Sequence, residues 1–185
     1  RWTIGSLPQR RFDLIGSAPP PLVDAAALAA LPQALDVRFG ADLALRGCDW
    51  QPGALVSGTE VSWWERHWNA HAELLPAHAL SVPLTLYWQT PDGAPADVEV
   101  RTELVSPCGP EYTIAQHHEP LGGVYPTSQW MPGDIVRDEF AIWVPAGTPP
   151  LRYALQLSVV DATSGQPLAV TAADGTAVDG ERVLL

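Results

Sequence analysis

The chain has 185 residues, 21 acidic and 10 basic, for a formal net charge of −11, and 46% of it is hydrophobic. That apolar content excludes a disordered acidic tail, and the length suits one domain with a core of its own. All basic residues are Arg and the closest pair is Arg10-Arg11, so no cationic cluster is present to neutralise nucleic-acid phosphates or anionic lipid headgroups.

Residues 1–35 read as a lead-in. Arg1-Trp2-Thr3-Ile4 has the pattern of a short strand, Ala18-Pro19-Pro20-Pro21 that of a stiff linker. Asp24 is placed to cap a short helix over Ala25 to Leu31 that ends near Pro32. Leu35, Val37 and Phe39 then alternate with polar residues. Leu43 and Leu45 keep the same period and carry the chain to Cys48. Gln51-Pro52-Gly53 marks a turn.

Residues 51–79 form a Trp-rich segment that breaks the strand pattern and that, against the family resemblance given below, is an insert. Within it Val61, Trp64, Trp68, Ala72 and Leu75 recur at helical steps, predicting a short helix over 60–75 that Pro76 ends. From Leu80 the two-residue period returns and holds. Leu80 to Trp88, Val98 to Leu104, Ile135 to Val144 and Leu151 to Val159 read as strands; Tyr112 and Ile114 mark a short one, and Val183 to Leu185 a last one. Gly- and Pro-containing turns separate them at Pro91-Asp92-Gly93, Pro107 to Pro110, Gly122-Gly123 to Pro126, Trp130 to Gly133, Gly147 to Pro150 and Thr163-Ser164-Gly165. Short strands at regular spacing, without long alternating helices, predict an all-β antiparallel sandwich, immunoglobulin-like or jelly-roll-like, over 36–185.

Cys48 and Cys108 sit in no CxxC motif. Two cysteines give no framework pattern, so a disulfide and a pair of separate thiols both stay open.

Four runs carry a family resemblance: Leu45-Arg46-Gly47-Cys48-Asp49-Trp50, Leu84-Thr85-Leu86-Tyr87-Trp88-Gln89, Tyr125-Pro126-Thr127-Ser128-Gln129-Trp130-Met131-Pro132-Gly133-Asp134-Ile135-Val136-Arg137-Asp138, and Tyr153-Ala154-Leu155-Gln156-Leu157 with Asp161-Ala162-Thr163-Ser164-Gly165. Their order resembles the soluble β-sandwich domains at the C-terminal end of bacterial multi-spanning glycosyltransferase-like membrane proteins of the dolichyl-phosphate-mannose mannosyltransferase type. The PTSxWxPGxxxxD run is the specific part. The resemblance implies an extracytoplasmic domain tethered through a membrane region, and it carries no catalytic residue or ligand. The chain opens on Arg1, which we read as the start of a fragment or processed product. No run approaches the ~20 apolar residues of a membrane span, so this segment itself is not expected to insert.

Chemical motifs are sparse. His67 and His71 have i,i+4 spacing, but Trp68 follows His67 where a metalloprotease needs Glu, and two His make no metal site. His117-His118-Glu119 precedes a Pro-Leu-Gly-Gly loop and reads as a solvated pair. Asp134 and Asp138 read as turn caps. Trp88, Trp130 and Trp143 read as core. No nucleophile elbow, phosphate loop or dinucleotide motif occurs. Catalytic residues, metal and cofactor are therefore assigned to none. The remaining candidates are Trp63, Trp64 and Trp68, whose flat rings suit either packing or stacking on sugar rings. The leading expectation is a non-catalytic accessory domain that contacts the rest of a parent membrane protein. A carbohydrate-binding module is the second, and a glycoside hydrolase with acids opposed across a cleft the third.

Overall fold

The computed structural model describes residues 21–50, 80–91, 96–110, 113–145, 148, 152–178 and 181–185. Among the described residues nine strands form two antiparallel sheets, and the only α-helix is α1, Ala25–Ala29. The strands are β1 Gln33–Phe39, β2 Leu43–Trp50, β3 Leu80–Gln89, β4 Val98–Val105, β5 Ile114–His118, β6 Ile135–Val144, β7 Ala154–Asp161, β8 Val170–Ala172 and β9 Val183–Leu184. One sheet has the order β6-β3-β2-β1-β8, the other β5-β4-β7-β9. The fold is thus the all-β sandwich that the strand spacing predicts.

The core follows from alternation, since successive residues of a strand face opposite ways. Leu84, Leu86 and Trp88 of β3 meet Val100 and Leu104 of β4, Ile142 of β6, and Leu155, Leu157 and Val159 of β7 in one buried cluster. Phe39 packs edge-on against Trp88 with ring centroids 5.9 Å apart, the arrangement that aromatic quadrupoles favour. Asp24 caps α1 as its position predicts, accepting from Ala27 N at 2.9 Å.

Four readings change. Leu35 to Cys48 is not one continuing strand: the chain reverses at Gly40, whose φ of +63° suits glycine, and β1 pairs with β2. Trp143 lies on the outer face of β6, 59% exposed, rather than in the core. Asp138 caps no turn; it is a β6 residue with 0% exposure. His117 and His118 belong to β5 and are not merely solvated: the ring of His117 contacts the Glu99 carboxylate and that of His118 the Asp138 carboxylate. The cysteine question also closes: Cys48 is a buried and Cys108 an exposed free thiol.

The edge strand β6 has a free side that would template pairing with another chain. Two devices cover it. Residues 21–23 run beside its first half, with Val23 N donating to Ile135 O at 2.9 Å and Arg137 N to Pro21 O at 3.0 Å. At its other half the Gln116 side chain of β5 stands in for a strand. Its Nε2 donates to Ala141 O and its Oε1 accepts from Trp143 N, both at 2.9 Å. One amide thereby ties the two sheets together.

Candidate functional site

The best-built feature outside the core is the β5–β6 connection, residues 119–134. It begins at the buried Asp138, which accepts from Leu121 N at 2.9 Å and from His118 Nε2 at 2.9 and 3.1 Å. The His118 ring stacks on Phe140 with centroids 4.0 Å apart. A buried carboxylate needs such partners, because an unpaired charge in the core costs several kcal/mol. The Leu121 hydrogen bond holds that residue at φ +55°, and Gly122 and Gly123 follow at +61° and +74°. At Gly123 the positive φ is what favours glycine, since a Cβ there would meet only the flexible end of the Glu119 side chain.

Thr127, Ser128, Trp130 and Gly133 of the PTSxWxPG run each have a structural task. Thr127 Oγ1 donates to Ala96 O at 2.8 Å and accepts from Val98 N at 3.1 Å. Ser128 N donates to Asp97 Oδ1 at 3.0 Å. The buried Trp130 donates its Nε1–H to Tyr125 O at 3.0 Å. Gly133, at φ +86°, donates to Thr90 O at 2.7 Å, and Thr90 Oγ1 donates to Met131 O at 2.8 Å. Asp134 caps the turn as expected, accepting from Met131 N at 3.0 Å. Desolvation, and next the nearby Asp134 carboxylate, push the Tyr125 phenol above its usual value.

This scaffold presents apolar side chains to water. Val124 is 77% and Met131 63% exposed, next in sequence to the packed Tyr125–Trp130 pair. A loop pinned from behind, with large apolar residues at its surface, is suited to contact with a partner. Both carboxylate oxygens of Asp138 face the same imidazole nitrogen, Nε2 of His118.

The sequence-derived candidates Trp63, Trp64 and Trp68, with His67 and His71, lie outside the described residues. The chain leaves the sheet at Trp50, opposite Leu84, and rejoins it at Leu80, opposite Val144. Among the described residues no group of three or more His, Cys, Asp and Glu could hold a metal ion, and no helix is long and apolar enough to cross a membrane. Comparison with protein families, curated proteins and solved structures found no match.

Residue order already held the signal for the Asp138 pair. Asp138 shares the face of Phe140, Ile142 and Val144, and His118 that of Ile114 and Gln116. An acid and an imidazole on core-facing positions of two strands are a pair that only needs to be brought together.

Proposed function

We propose that this chain is a non-catalytic accessory domain that works by surface contact outside the cytoplasm, attached to or docked on a membrane protein of glycan transfer. The observation that carries this reading is the β5–β6 loop. Its polar groups are spent on holding the loop, and Val124 and Met131 are left for a partner. The loop also contains the run on which the resemblance to extracytoplasmic glycosyltransferase domains rests. A hydrolase would use an acid pair open to substrate, whereas Asp138, the one fully buried carboxylate among the described residues, is taken up by His118 and Leu121 N.

A photoreactive phenylalanine analogue at position 124 or 131, in cells that make the protein natively, tests the reading. It should cross-link to a membrane-embedded glycan-transfer protein. The same analogue at the exposed turn residue Thr163 should not. Equal adducts from all three positions, or turnover of a glycoside by the purified chain, would refute it.

A further inference from the structure

The outer face of β6 carries a second feature, on which the contact reading of the loop does not depend. Because β6 sends Asp138, Ile142 and Val144 into the core, Trp143, Ala141 and Glu139 line its outer side. Trp143 is the exposed ring of that side, at 59%. Its mount is rigid. One edge of its strand pairs with β3, and at the other Gln116 bonds Trp143 N and Ala141 O. A backbone held in place before binding loses little freedom on binding.

Area and charge bound what the ring can accept. An exposure of 59% on a side chain of ~250 Å² leaves roughly 150 Å², far below the ~800 Å² per partner of a stable protein interface. Among the described residues its apolar surface is extended by Ala141 and by the exposed Pro83 opposite Ala141. Such a surface matches the apolar C–H face of one pyranose. Beyond Ala141 the face turns polar, with Glu139 opposite Thr85, and Thr85 opposite the exposed Asp49. Glu139 is ion-paired to Arg137 through Oε1. Carboxylates accept hydrogen bonds from sugar hydroxyls, and on a chain of net charge −11 they repel acidic sugars.

We infer that Trp143 is the stacking platform of a binding site for a neutral oligosaccharide, lying along β6 from Trp143 over Ala141 to Glu139. The four-residue step between Trp143 and Glu139 spans about 13 Å of strand, room for about two or three sugar units.

The test is isothermal titration of the purified chain with neutral and uronic-acid oligosaccharides, beside a glycan array. A neutral oligosaccharide should bind. Trp143→Ala should weaken it at least tenfold and Trp143→Phe less, because a smaller ring remains. Glu139→Gln should weaken it a few-fold. All three variants should keep the wild-type circular dichroism and melting temperature, since the side chains point outward. The inference is overturned if no neutral oligosaccharide binds at millimolar concentration or if uronic acids bind better. It is also overturned if binding survives Trp143→Ala, including binding abolished only by joint replacement of Trp63, Trp64 and Trp68.

Discussion

Replacing Asp138 by alanine tests the account of the β5–β6 loop most directly. The substitution removes a fully buried carboxylate and leaves two donors behind, His118 Nε2–H and Leu121 N–H. Breaking a buried pair by removing one partner costs about 3–5 kcal/mol, and an orphaned buried amide about 1–3 kcal/mol. The two overlap, because His118 keeps 13% side-chain exposure and can reach some water. A loss of about 4 kcal/mol is expected, a large part of the 5–15 kcal/mol that holds a typical domain. Asp138→Asn keeps the volume and an acceptor for Leu121 N but loses the charge, so its cost should be about 2 kcal/mol. Urea unfolding measures both. Amide hydrogen exchange at Leu121 should accelerate in the alanine variant and stay closer to wild type in the asparagine one. In a double-mutant cycle, Asp138→Ala and His118→Ala should show coupling of about 1–3 kcal/mol. An alanine variant within 1 kcal/mol of wild type, or additive single variants, would refute the claim that this pair sets the loop.

The sheet edge and the thiols carry three further predictions. Gln116→Ala unpairs Ala141 O and Trp143 N on the edge of β6. It should cost about 1–3 kcal/mol in urea unfolding and raise concentration-dependent self-association in sedimentation velocity; a variant as stable and as monodisperse as wild type would show that the amide is incidental. Burial, and next the adjacent Asp49, push the Cys48 thiol up to about 11 from 9.0, so at pH 8 its thiolate is roughly 100-fold scarcer than an unperturbed one. Iodoacetamide should therefore label the exposed Cys108 and spare Cys48 until the chain unfolds. The same shift makes stability fall as pH rises through the window from 9.0 to about 11, because only the unfolded thiol ionises freely there. Equal labelling of both cysteines in the folded chain would overturn this picture.

Residue order alone determined the class of fold, the long strands β3, β4, β6 and β7 and the Asp24 cap, because each depends on alternation or on one local hydrogen bond. It also determined the outward position of Trp143. Trp143 alternates with Ile142 and Val144, so its outward position follows from the period of β6, although its size suggests a core residue. Tertiary structure decided what lies far apart in the chain. It joined His118 to Asp138, set Gln116 against the edge of β6, ran residues 21–23 beside Ile135 and Arg137, and separated Cys48 in a buried strand from Cys108 on an exposed turn. Alternation fixes which face a side chain takes, but not which strand will stand opposite. That choice is made when both sheets bury their apolar faces against each other at once, a condition on the whole chain that no local window contains.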